Sequence, residues 1–225
     1  MSGEDLVKKL REAIINREGA EVVRGMAEEI AQAGIDAVEV IQNDLVPAVK
    51  EVGDRFERGE YFLTDMMLAA EALEAATEVL THNLKEEGKR AFEDRIRTSK
   101  KVVIGVVKGD IHDIGKNMVA LLLRANGYVV SDLGKDVSAK DFVDEAEKVG
   151  AHVIGLSALL TTTLPFQGDV INLLSEKGVR GKYKVIVGGG PTTSEWATSI
   201  GADGWAPDAS NAVRLVAELL GGSIS

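Results

Sequence analysis

Asp110, His112 and Gly115 stand two and three positions apart and carry the clearest chemistry in this 225-residue chain. A neutral imidazole is a good metal ligand through either ring nitrogen. A carboxylate two residues away can accept the Nδ1 hydrogen, which fixes the tautomer and leaves Nε2 free to bind a metal. Gly115 would let the chain turn closely as a helix opens. A solvated loop histidine with no special role is the other reading of His112, and local chemistry leaves both open.

The neighbouring residues place this motif. Lys101 to Val107 is an apolar run of the kind found in buried parallel strands. Lys116 to Leu123 reads as a helix. The stretch Gly109, Asp110, Ile111, His112, Asp113, Ile114, Gly115 is therefore a strand-to-helix loop, and in an open α/β sheet ligands bind at that end of the strand.

From residue 101 onward strands alternate with helices. Strands are expected at Val102–Val107, Tyr128–Asp132, Val153–Leu156, Lys184–Val187 and, short, around Gly204 and Trp205. Five such βα units imply a doubly wound, flavodoxin- or Rossmann-like parallel sheet of order 2-1-3-4-5. Its switch point lies between strands 1 and 3, so the His112 loop and the residues Ser157, Leu159, Thr161 and Thr163 face one crevice. Gly188, Gly189 and Gly190 end strand 4 and can form a turn or a trough where a ligand meets backbone. No GxGxxG follows strand 1 and no GxxxxGK[ST] occurs, which disfavours dinucleotide and P-loop readings.

Residues 4–86 look all-helical, with four segments that fit an antiparallel bundle. The third is expected over Ala37–Phe56 with a kink or break at Pro47. The fourth is expected from Met66 to about Leu84, capped by Thr64 or Asp65. Domain limits are 1–88 for the bundle, 89–100 for a charged linker and 101–225 for the α/β domain. Asp136 and Asp141 read as helix caps, Trp196 and Trp205 as packing residues, Met66 and Met67 more readily as core than as a lid. His82 reads as solvated, and His152 starts a strand with no implied role.

Composition removes several function classes. A net charge of −10 argues against nucleic acid as the main partner. The absence of cysteine excludes disulfides, thiol catalysis and iron–sulfur clusters, and three histidines leave little for a His-based zinc site. The N-terminus is charged, and no apolar run nears the roughly 18 residues that span a bilayer. The expected location is cytoplasmic, with no membrane partner.

Read together, Asp110-x-His112-x-x-Gly115, then Ser157-x-Leu159, then Gly188-Gly189 resemble the cobalamin-binding module of corrinoid-dependent methyltransferases, including the middle of cobalamin-dependent methionine synthase. Gly53-Asp54-Arg55-Phe56 and Gly59-Glu60-Tyr61-Phe62-Leu63 are similar to the helical cap of that family. A chain of this size is similar to the small corrinoid proteins of methanol, methylamine, glycine betaine and methoxyaromatic systems. The resemblance implies a cobalamin cofactor with His112 as the lower axial cobalt ligand, in place of the cofactor's own dimethylbenzimidazole. It implies that Asp110 bonds His112 and that Thr163 bonds Asp110, a relay linking proton uptake to cobalt oxidation state. The displaced tail would run along Ser157 and Thr161, past Gly188 and Gly189, and touch Ala209. Phe56, Leu63, Met66 and Met67 would cap the upper face. Gln42 stands where the family often has Glu.

The implied activity is methyl carriage: cobalt(I) accepts a methyl group and methyl-cobalt(III) donates it. The implied partners are a substrate:corrinoid methyltransferase, a corrinoid:tetrahydrofolate or coenzyme M methyltransferase, and a reductive activator. Rival readings are an adenosylcobalamin mutase subunit, which pairs the module with a barrel, a cobalamin-sensing regulator, which adds a DNA-binding domain, and a flavodoxin-like domain without corrin.

Overall fold

A computed structural model describes residues 2–82, 84 and 99–221. The chain divides into two compact units, one running to Ser99 and also including Ala125–Gly127, the other made of the rest from Lys100 onward. The expected linker, 89–100, lies outside the described residues except for Ser99 and Lys100, as does the end of the expected cap at 85–88.

The first unit is built from amphipathic helices. α1 (Gly3–Ile15) starts at a capping box in which Ser2 and Asp5 each accept the other's backbone N–H, and it buries Leu10, Ala13 and Ile14. α2 (Ala20–Gln32) buries Val23, Ala27 and Ile30, the spacing of one helix face. α3 (Ala37–Val40), a π-helical turn (Ile41–Leu45) and α4 (Val46–Glu57) follow one another without a break. α5 (Leu63–His82) packs on α2 and α4 through Met66, four small alanines (Ala69, Ala72, Ala75, Ala76), Val79 and Leu80. Each large apolar side chain buried in this way contributes roughly 1.5–3 kcal/mol.

Two expectations for this unit need correction. Pro47 does not break the third helix. It lies in the first turn of α4, and the rod is accommodated just before it, where the Val46 N–H reaches back to Ile41 O in a π-type bond. Widening one turn gives the ring room that a tight α-turn would deny it. α5 begins at Leu63 rather than Met66, and Asp65 does not precede the helix. From the first turn its Oδ2 accepts the Phe62 N–H at 2.6 Å.

The second unit is a five-stranded parallel sheet of order β2-β1-β3-β4-β5, as the alternation of strands and helices predicts. The elements are β1 (Lys101–Val106), α6 (Ile114–Ala125), β2 (Val129–Asp132), α7 (Ala139–Val149), β3 (Val153–Ser157), α8 (Pro165–Glu176), β4 (Lys184–Gly188), α9 (Ser194–Ile200), β5 (Gly204–Trp205) and α10 (Ala209–Leu219). β1 reads as an unbroken apolar run because it is buried on both faces. Val103, Ile154 and Val185 align across the sheet and meet Phe142 of α7 and Val170 and Leu174 of α8 in the core.

Candidate functional site

The loop after β1 leaves the sheet at Val107, which forms a bridge to Val137. It turns at Gly109, whose φ of +78° suits glycine. Gly115, expected to let the chain turn closely as a helix opens, sits in the first turn of α6 with no left-handed φ, and a Cβ there would meet nothing within 4 Å. It leaves open space beside the loop.

Asp110 is the centre of the site. It has no exposed surface, and its carboxylate accepts five hydrogen bonds. Oδ1 takes the His112 backbone N–H at 3.0 Å and lies 2.8 Å from His112 Nδ1. Oδ2 takes Leu159 N–H at 2.7 Å, Leu160 N–H at 3.2 Å and the Thr163 hydroxyl at 2.7 Å. Burial, the largest effect, opposes ionisation. The bonds from His112 N, Leu159 N, Thr163 Oγ1 and the His112 ring outweigh it and hold the carboxyl well below the usual carboxylate range. An ionised carboxylate can only accept, so Nδ1 of His112 carries the hydrogen and Nε2 presents a lone pair.

The imidazole is 46% exposed while its partner is fully buried, so the ring is fixed at one nitrogen and open at the other. Among the described residues of this unit, the large apolar side chains that stand exposed are Ile111, Ile114, Leu159 and Leu160. All four belong to the loops after β1 and β3 or to the first residue of α6. Among the described residues no group of three or more His, Asp or Glu could hold a metal ion. One imidazole nitrogen amid apolar surface, with open space at Gly115, therefore fits a metal that arrives with its other ligands in a broad apolar macrocycle.

The bond from Thr163 to Asp110 that the resemblance implies is present. Ser157 and Gly188 are aligned on β3 and β4. Gly189, at φ +119°, crosses so close to β3 that a Cβ would fall 1.9 Å from Ala158 O. Thr161 is exposed on the loop after β3, and Ala209, half-buried, follows the Asp208 cap of α10. The Asp136 carboxylate caps no helix but accepts Gly109 N–H at 2.7 Å, because Asp136 itself is left-handed, at φ +57°. Ser138 caps α7 and binds Asp141. His82 is exposed. His152 lies at the opposite, N-terminal edge of the sheet, where Nδ1 accepts Lys101 N–H at 3.1 Å. Burial, with Lys100 and Lys101 nearby, lowers its basicity.

Gln167 was not foreseen. Fully buried on α8, it donates to Leu156 O at 3.0 Å and Gly188 O at 3.2 Å and accepts from Trp196 Nε1 at 2.9 Å. Trp205 donates to Thr192 Oγ1 at 2.9 Å. Both indoles therefore do more than pack. An amide on the buried stripe of a helix beside a glycine-ended strand is the signal that points to Gln167.

In the bundle, Phe56 is half-buried, Leu63 opens α5 and Met67 is half-exposed. Met66 has no exposed surface, so it is core rather than the capping surface expected of it. Phe62, outside the predicted set, is 72% exposed. The residues around it are tied down. Tyr61 OH donates to Ile15 O, Arg55 donates to Tyr61 OH, the Arg17 guanidinium lies 4.3 Å over the Tyr61 ring, and Arg17 pairs with Asp65 at 2.9 Å. Gln42 is half-buried on the π-turn.

Two B12 binding domain profiles match the chain, at residues 6–81 and 100–214. Corrinoid protein DSY3155 of Desulfitobacterium hafniense is 43% identical over 96% of this chain and 98% of its own. Dimethylamine corrinoid protein 1 of Methanosarcina acetivorans is 44% identical over 98% and 100%. Among solved structures, the methanol:cobalamin methyltransferase complex MtaBC of Methanosarcina barkeri superposes with a TM-score of 0.84 at 29% identity, covering 98% of this chain and 81% of that one. The monomethylamine corrinoid protein of the same organism gives 0.52 at 34%, covering 97% and 100%. No helix among the described residues is long and apolar enough to cross a membrane. Matched along nearly its whole length by proteins of this one kind, the chain belongs to the B12-binding family of corrinoid proteins, and a cobalamin-type corrinoid is its cofactor.

Proposed function

We propose that this chain is a methyl carrier that serves two methyltransferases in turn. The first loads it from a methylated substrate, and the second unloads it to tetrahydrofolate or coenzyme M. The observation that carries this reading is the His112 imidazole, held at Nδ1 by a buried carboxylate and open at Nε2. When bound, the corrinoid supplies a cobalt that accepts and releases a methyl group. His112 Nε2 would hold that metal from the chain's side. Asp110 keeps the Nδ1 hydrogen in place, so the same nitrogen faces the metal each time. Thr163, Leu159 and Leu160 hold Asp110 in turn. Ile111, Ile114, Leu159 and Leu160 would exclude water around His112. Phe56, Phe62, Leu63 and Met67 of the bundle would shield the methyl group, where excluding water protects a reactive group. Ser157, Thr161, Gly188, Gly189 and Ala209 receive the cofactor's tail.

A methylated amine is the donor best supported, through the dimethylamine relatives in Methanosarcina. A reductive activator completes the set of partners. The test is His112→Gly, read by the visible spectrum of the bound corrinoid and by its methylation rate. Both should change, and an unchanged spectrum with an unchanged rate refutes the ligand role. Loading by dimethylamine, monomethylamine and methanol methyltransferases should be fastest with an amine enzyme, and fastest loading from methanol overturns that assignment. Phe56→Ala and Phe62→Ala should speed photolysis of bound methylcobalamin, and equal rates argue against the cap.

A further inference from the structure

We propose that the loop between β2 and α7 positions the His112 imidazole, with Asp136 as its grip and the Lys116–Asp132 pair as its anchor. Asp136 clasps the His112 loop at two peptide groups, one on each side of the Gly109–Asp110 bond. Its Oδ1 accepts the Gly109 N–H at 2.7 Å, and its own N–H donates to Asp110 O at 3.0 Å. A non-glycine residue at φ +57° is strained, and such residues persist where the surroundings over-determine them. Here both the amide and the carboxylate of the strained residue are spent on the His112 loop.

Lys116 fixes the far end of that loop. Its Nζ lies 2.6 Å from both Asp132 oxygens, with the side chains 2% and 21% exposed. It sits in the first turn of α6, where the helix dipole disfavours a cation and burial strips its water. Buried pairs are a poor source of stability and a good device for register. Asp132 Oδ1 also accepts Gly134 N–H at 2.9 Å, and the Val106 N–H donates to Gly134 O at 2.9 Å. The His112 loop is thus moored at both ends to one neighbouring loop. Asp110 is held through its carboxylate from the β3 side and through its backbone from the β2 side. An axial nitrogen must be placed to within about half an ångström, so losing either side should free the ring.

This inference rests on His112 as the axial ligand. The test uses full-length protein labelled with 15N-histidine and loaded with cob(II)alamin. Axial 15N splits the electron paramagnetic resonance lines into doublets, and axial 14N from dimethylbenzimidazole splits them into triplets. Wild type and Asp136→Asn, which keeps the acceptor oxygen, should show the doublet. Asp136→Gly, which relieves the strain but loses the acceptor, and Lys116→Met should lose at least about threefold of the doublet to the triplet. In the corrinoid-free protein, the His112 Nδ1–H signal should exchange faster in Asp136→Gly than in Asp136→Asn. An undiminished doublet in Asp136→Gly overturns the proposal, as does an equal loss in Asp136→Asn. If Lys116→Met fails to fold, Asp136→Gly decides, because glycine accepts that backbone. A wild type without the doublet instead refutes the axial role of His112.

Discussion

Asp110 accepts five hydrogen bonds and has no exposed surface, whereas Phe62, just before α5, is exposed over most of its area and makes polar contacts through its backbone alone, donating to the Asp65 carboxylate and accepting from the Asp65 and Met66 N–H groups. Both are candidate site residues, and the contrast follows from what each unit has to do. A ligating nitrogen works along one direction, so the α/β unit spends buried polar groups on fixing it. A water-excluding surface needs apolar area of roughly the right shape, so the bundle fixes the turn around Phe62, through Arg17, Tyr61, Arg55 and Asp65, and leaves the ring itself free. Directional chemistry is costly to perturb, and shape is cheap.

Four measurements sharpen that contrast, in decreasing order of effect. His112→Gly should abolish histidine ligation outright and cost about 1–3 kcal/mol of folding stability, because it removes one of the five bonds to the buried Asp110 carboxylate. Calorimetry of the corrinoid-free protein alongside the visible spectrum of the loaded form checks this. Asp110→Asn should weaken corrinoid binding by about 10–100-fold, the usual cost of disturbing a ligand's hydrogen-bond partner. It should also destabilise the corrinoid-free protein by about 1–3 kcal/mol, because the amide presents N–H where N–H donors need an acceptor. Urea unfolding and corrinoid titration give the two values. Met66→Ala should cost about 2–5 kcal/mol of stability, since it empties a fully buried site in the bundle. Phe62→Ala, four residues earlier, should stay within about 0.5 kcal/mol in the same urea series.

The pH dependence supplies a further check. The folded-state pKa of Asp110 is depressed below an unfolded value of about 3.9. Its contribution to stability is therefore complete above about pH 4 and is lost as pH falls through the folded value. The urea midpoint of the corrinoid-free wild type should drop between about pH 4 and pH 2. Asp110→Asn, with no such group to titrate, should show a shallower drop over that range.

The sheet order and the Asp110–His112 geometry were legible in the chain because each has a local cause. β1 is apolar on both faces, a short loop follows it, and an i, i+2 carboxylate can reach its own imidazole. Thr163 was legible by position through the family resemblance. Asp136 was misread as a cap because its carboxylate acts across 27 residues on Gly109, and nothing in its own neighbourhood records that contact. Gln167 was missed for the same reason, since its three partners come from β3, β4 and α9. Met66 and Met67 both read more readily as core, and the structure divides them, Met66 buried and Met67 half-exposed, because neighbours on a helix face different ways and composition does not say which faces in. The left-handed turn at Gly109 was not foreseen, since only backbone angles distinguish it from Gly115, which stands where α6 opens.

The π-turn at Ile41–Leu45 makes chain length itself a coded quantity in the bundle. One extra residue is absorbed there without lengthening the rod by a full turn, so the segments before and after it count in different frames. Deleting Asn43 would restore an ordinary α-turn, and because the widened turn holds one surplus residue, Phe56 and the rest of the downstream segment would keep their side of the rod. A single-codon deletion at this spot should therefore do less harm than one in the regular turns of α4, where every downstream side chain would swing by roughly 100°.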